Sequence, residues 1–213
     1  MSARTQAGNR GGRPRDSRVD DAIASAVREL LAEVGYARLT TAAVAARAGV
    51  GKAAIYRRHA GKQEMIFDVL VPGQFLAVAP DRGSLRADLA AVLAEVADSM
   101  AAPPPGTIPG LLADVQADPA LRKRFDAKYL AAQRRTLTEV LDRAAARGEL
   151  TARPGPAALN ALLVGPVFAW LFLLSESPDQ LPALTSLLLD AALALIGAGD
   201  PGAQDGSGSE IVT

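Results

Sequence analysis

Between positions 52 and 62 the chain carries four cations, Lys52, Arg57, Arg58 and Lys62, together with Tyr56 and its single histidine, His59. Ala53 and Ala54 lie among them, and Gly51, Thr40 and Thr41 precede them. Ammonium, guanidinium and hydroxyl groups at this density suit donation to phosphate oxygens, while small residues let a backbone approach base edges. Arg13 and Arg15, in Arg10-Gly-Gly-Arg-Pro-Arg15, form a basic arm ahead of this set. Such an arm either enters a neighbouring minor groove or remains a solvated tail. Catalytic chemistry has little to work with. There is one His and no Cys, and neither a Gly-rich phosphate loop after a strand nor a His/Glu metal spacing occurs. No catalytic residue, metal ligand or cofactor is expected, and carboxylates are scattered over helix faces. His59, among the DNA-facing residues, is read as a phosphate contact or as helix-end packing.

The charge distribution agrees with a polyanion partner for one end. The net charge is zero, yet residues 1–62 hold twelve Lys/Arg and five Asp/Glu, and residues 63–213 hold eleven and eighteen. A basic head on an acidic body results; chance clustering is the plain alternative. With 49% hydrophobic residues in 213, the chain can bury a sizeable core. No cysteine and no apolar leader behind the Arg/Gly-rich start suit a cytoplasmic protein.

The elements that must position these residues read as helices, because apolar residues recur at i, i+3 and i+4 almost throughout. Asp16 or Ser17 caps a first helix with Ile23, Ala26, Val27, Leu30, Leu31 and Val34 on one face, and Gly35 stops it. Thr40 or Thr41 caps a short second helix. Gly49-Val50-Gly51 turns the chain into a third, from Lys52 to about His59, with Ile55 inward. Two short helices so joined have the proportions of a helix-turn-helix, whose second helix is free to enter a major groove. A fourth helix starts at Lys62. Further helices are expected at about 84–101, 108–116, 119–147, 155–175 and 180–197, separated by Pro and Gly stops. The reading is all-α: a flexible arm (1–15), a three-helix DNA-binding domain (16–62), a larger helical body (63–198) and a Gly/Ser/Asp tail (199–213).

Gly35-Tyr36-Ala37-Arg38-Leu39-Thr40-Thr41, Val44-Ala45-Ala46-Arg47-Ala48-Gly49-Val50-Gly51-Lys52, Ile55-Tyr56-Arg57-Arg58 and Lys62 together resemble the N-terminal domain of the TetR/AcrR regulators. The match covers about residues 19–70. The resemblance implies an all-helical homodimer with a small DNA-binding domain and a larger ligand-binding and dimerising one. Carried over by position, Thr41, Tyr56 and Lys62 should meet phosphates, and Lys52 and Ala53 should lie near base edges of a palindromic operator. Three departures stand out. Gly51 replaces a frequent Ser, removing a side-chain cap; an Ala there would cost about 1 kcal/mol and a Gly less. Ala54 replaces a common Thr, and His59 a usual Phe or Trp.

In the body, 154–175 is free of formal charge and by length could span a membrane. Asn160, Pro166 and the absence of a basic flank argue against a span. This helix and the last one are read instead as a four-helix interface with their symmetry mates, through Leu163, Val167, Leu171, Leu184, Leu188 and Leu195; an intrachain core is the alternative. Phe67, Phe75, Met100, Phe125, Tyr129, Phe168 and Trp170 are candidate walls of a small-molecule cavity for an apolar or amphipathic effector, although each could be simple core. Pro72-Gly73 is a possible hinge or an early stop. Repression is favoured because occupancy suffices to block a promoter; activation, a membrane-tethered protein and a scaffold are the alternatives.

Overall fold

The computed structural model describes residues 17–70 and 79–197, and every regular element among them is a helix. Arg13, Arg15, Phe75 and Pro72-Gly73 lie outside the described residues. Helix α1 (Ser17–Arg38) buries Ile23, Ala26, Val27, Leu30 and Leu31 and breaks at Gly35, whose φ of 74° is the left-handed conformation glycine tolerates. The break turns Tyr36 and Leu39 back into the core. Thr40 then caps α2 (Thr41–Arg47), its hydroxyl accepting from the Ala43 amide at 3.1 Å. After a turn with Gly49 at φ 65°, α3 (Lys52–Tyr56) starts at Gly51 with no side-chain cap. Ile55, fully buried, fixes the face that α3 turns inward.

Helix α4 (Lys62–Leu70) adds Met65, Ile66 and Val69 to the same N-terminal core, which also takes in Leu111 from farther along the chain. Helix α4 thus packs into the core built by α1, α2 and α3. Two ion-pair sets brace it. Arg47 on α2 reaches Glu29 and Glu33 on α1 at 3.0 and 2.7 Å, and Arg58 pairs with Asp20.

The body holds α5 (Leu85–Ala101), α6 (Thr107–Ala117), α7 (Pro119–Phe125), α8 (Ala131–Ala146), α9 (Pro156–Phe168) and α10 (Leu181–Ile196). Asp118 caps α7, its carboxylate accepting from two amides, and Pro119 sits at the first turn, where its missing donor costs nothing. The single helix expected over 119–147 is two, joined by a π-helical turn at Asp126–Leu130. Helix α9 runs through Pro166 and likewise widens into a π turn at Ala169–Leu173. The widening follows where the imino acid has removed a backbone donor. Helices α5, α8, α9 and α10 enclose the second core, with Leu89, Leu93, Val140, Leu141 and Ala192 essentially inaccessible.

Three residues expected at a dimer face, Leu163, Val167 and Leu188, belong to this intrachain core, at 1%, 0% and 8% exposure. That expectation is corrected for them. Helix α9 is apolar on nearly every side, so its sequence does not distinguish the inward face from the outward one. Leu171 and Leu184 pack partly against the core, while Leu195 is 72% exposed. Leu173, Leu174 and Leu187 are also exposed. The stretches Pro156–Leu173 and Pro178–Ile196 are long and apolar enough to cross a membrane, and only 17% and 33% of each is buried in the chain. Asp190 interrupts the second stretch and pairs with Arg86 on α5 at 2.7 Å.

Candidate DNA-binding surface and ligand cavity

With Ile55 turned inward, α3 presents Lys52, Ala53, Tyr56 and Arg57 to the outside and leaves Ala54 half-buried. The Tyr56 hydroxyl lies 3.2 Å from Thr41 Oγ1 on α2, so the two hydroxyls share one patch across the helix pair. The Thr40 hydroxyl oxygen accepts from the Ala43 amide in the cap of α2, which leaves its proton to donate. Arg57 makes no ion pair or hydrogen bond to another described residue through its side chain, whereas the adjacent Arg58 is held by Asp20 and the Ala54 carbonyl. Lys62 opens α4 with its ammonium 2.6 Å from the Tyr36 carbonyl and 4.2 Å from the centre of the Tyr36 ring. Burial lowers its pKa, although the nearby Asp114 opposes the shift.

His59 does not join this surface. Its Nδ1 sits 2.8 Å from the Asp68 carboxylate of α4, with 13% of the side chain exposed. The closing turn of α3, in which the His59 amide donates to the Ile55 carbonyl, swings residue 59 away from the exposed face. Of the two roles expected for His59, the phosphate contact is thus corrected and helix-end packing is what the geometry gives. Asp68 also takes Lys128 at 2.7 Å and the Tyr129 hydroxyl. Burial pushes this carboxyl up, but the three donors more than offset it and hold its pKa below the usual range. Tyr129 is pushed up by burial and by Asp68.

Behind Asp68 lies a cavity of about 720 Å³ between α4, α5, α6, α7, α8 and α9. Five of the residues expected to line it do so: Phe67, Met100, Phe125, Tyr129 and Phe168. Phe67, Phe125 and Tyr129 form its aromatic floor, with ring centroids 4.3 to 5.4 Å apart. Trp170 does not line it; the indole packs on the body core and donates to the Ser177 carbonyl at 3.3 Å. Being two residues from Phe168, it leaves the helix on another side. The sequence reading missed Gln116, Gln133 and Asn160, the three amides that interrupt the apolar wall. Asn160 did leave a signal, as a polar residue inside an otherwise apolar stretch. Among the described residues, no group of three or more His, Cys, Asp and Glu could hold a metal.

A second junction joins head to body. The Tyr36 hydroxyl donates to Asp114 of α6 at 2.6 Å, and the Gln63 amide reaches the same oxygen at 2.9 Å. The Tyr36 ring rests on Gly110, where an added Cβ would fall 2.7 Å from the ring.

A helix-turn-helix head with an exposed third helix, set on a helical body with an apolar cavity, defines the class of DNA-binding regulators. The family model for the N-terminal domain, "Bacterial regulatory proteins, tetR family", matches residues 23–69. "Tetracyclin repressor-like, C-terminal domain" matches residues 79–190. The chain belongs to the TetR family. An uncharacterised HTH-type transcriptional regulator of Mycobacterium tuberculosis is 35% identical over 123 residues, a match covering 57% of this chain and 60% of that protein's length. The HTH-type regulator YdeS of Bacillus subtilis is 28% identical over 79% of this chain and 86% of its own. Among solved structures, the TetR family regulator SCO0332 superposes with a TM-score of 0.62 at 29% identity, covering 81% of this chain and 97% of that one. FadR of Bacillus subtilis in complex with stearoyl-CoA shares the fold at 19% identity, with a TM-score of 0.59 and coverages of 82% and 97%.

Proposed function

We propose that the protein is a repressor that occupies a near-palindromic operator as a homodimer and releases it when a small apolar or amphipathic molecule fills the cavity. One observation carries the reading. Tyr129 lines the cavity and hydrogen-bonds Asp68, and Asp68 in turn holds His59 at the end of the DNA-facing helix. A ligand that displaces the aromatic floor therefore has a short mechanical route to α3, and differential affinity for two head positions is all that release requires.

In this reading Lys52, Ala53 and Ala54 approach base edges close to Gly51, and Thr40, Thr41, Tyr56, Arg57 and Lys62 serve phosphates. Arg13 and Arg15 extend the contact into the minor groove. The exposed leucines Leu173, Leu174, Leu187 and Leu195, with the half-buried Leu171 and Leu184, supply the dimer face. Pairing it with a second copy would space two α3 helices about one DNA turn, roughly 34–36 Å, apart. The work is intracellular DNA binding and needs no membrane, cofactor or turnover. Selection of genomic DNA by the purified protein at stated salt tests the reading. An enriched palindrome supports it, and salt-sensitive binding without a motif overturns it.

A further inference from the structure

Resting on the effector cavity just proposed, we infer that its ligand is an electrically neutral amphipathic molecule, held at one polar group by Gln133 and Asn160. None of the described residues lining the cavity carries a formal charge. The polar hydroxyls of the wall are already committed: Tyr129 donates to Asp68 and Ser99 to the Val96 carbonyl. The Gln116 side-chain oxygen accepts from Arg122.

Gln133 on α8 and Asn160 on α9 differ from these. Both are half-buried, both line the cavity, and neither side chain is hydrogen-bonded to another described residue. Each amide offers donors and an acceptor. Two unspent amides on adjacent helices can satisfy a hydroxyl, carbonyl, ester or amide. They cannot neutralise an ion. Bringing a carboxylate or ammonium into an apolar wall without a counter-charge costs far more than two amide hydrogen bonds return. The remaining surface, including Phe67, Phe125, Phe168, Ile108, Leu112 and Val164, accepts a hydrocarbon or aromatic body.

The test uses full-length protein and three ten-carbon probes at pH 7.5, titrated calorimetrically: 1-decanol, decanoate and decylammonium. Decanol should bind at least about thirty-fold more tightly than either ion, the order expected when unpaired charge must be buried. Asn160→Leu and Gln133→Leu should each weaken decanol binding by about ten-fold, one lost hydrogen bond with its orphaned partner. Gln133→Lys should reverse the order in favour of decanoate, with helix content unchanged by circular dichroism. Decanoate binding as tightly as decanol to the unaltered protein would overturn the neutral-ligand inference while leaving an effector cavity in place. Binding of none of the probes, by protein that still selects its operator, would overturn the cavity reading and this inference with it.

Discussion

Arg57 and Arg58 are neighbours in sequence and opposites in circumstance. Arg58 is anchored to Asp20 and the Ala54 carbonyl, with 14% of its side chain exposed, so its work is to hold the end of α3 against α1. Arg57 is exposed and unpaired among the described residues. Arg57→Ala should therefore weaken DNA binding on all sequences alike and lower the salt slope of log K by about 1, as expected for one lost phosphate contact. Arg58→Ala should instead lower thermal stability, by about 1–3 kcal/mol, because a largely enclosed guanidinium, its ion pair and its hydrogen bond to the Ala54 carbonyl are all removed. Paired measurements of operator affinity between low and high salt, together with melting curves, distinguish the two. The same contrast of position against type explains His59. Its residue type fits a DNA surface, but the turn that closes α3 aims it at Asp68. No pattern of neighbouring residue types announces such a turn. Gly110 is a further residue whose meaning is spatial. Gly110→Ala would put a methyl group 2.7 Å from the Tyr36 ring. Destabilisation of about 1–3 kcal/mol is expected from such overpacking, read by denaturant unfolding.

Helix α4 links the two cores, and its polar side carries the titrating contact between them. Asp68 receives His59 from the head and Lys128 and Tyr129 from the body, and its folded pKa lies below the ordinary value. A depressed carboxylate pKa contributes stability that is fully present above the unfolded value and is lost as pH falls through the folded value. Unfolding free energy should accordingly drop on acidification below about pH 4, the ordinary Asp range. Asp68→Asn should lie lower near neutrality and fall less steeply in acid. Equal slopes for the two proteins, measured by urea titration at a series of pH values, would rule the contact out as an acid-sensitive link.

At this scale the sequence was legible where chemistry punctuates it. Gly35, Gly49, Pro119 and Gly148 sit at helix ends or turns because a left-handed backbone or a missing donor needs them there. Part of the cavity's aromatic floor was legible too, since Phe125 and Tyr129 stand four residues apart on one helical stretch, whereas Phe67 joins them from α4. The π turns at 126–130 and 169–173 were not, because a one-residue widening leaves composition and periodicity unchanged. Nor was Gln133 as a cavity residue, since an amide on a helix ordinarily faces water, and Asn160 was marked only by its polarity within an apolar stretch.

For the whole molecule, the leucines of α9 and α10 divide into two populations that composition cannot separate. Leu163 and Val167 face α5 and α8 inside the chain, while Leu173, Leu174, Leu187 and Leu195 are mostly exposed in the single chain. Exposed leucines gathered on two adjoining helices are costly in water, and a C2 partner would cover the same patch on both copies. The two populations predict opposite outcomes on substitution. Leu195→Glu should leave the monomer's fold intact and shift the sedimenting species from dimer to monomer. Operator affinity should then fall by more than about ten-fold, because half the contact set is lost. Leu163→Ala should leave the dimer face in place but destabilise the fold by about 2–5 kcal/mol, the cost of a cavity at a fully buried leucine. Sedimentation velocity in buffer without detergent reads both variants and also separates a dimer face from a membrane-facing one. A Leu195→Glu protein that remains dimeric would move the interface away from α10. An unaltered protein that stays dispersed only in detergent would make the same leucines a lipid contact.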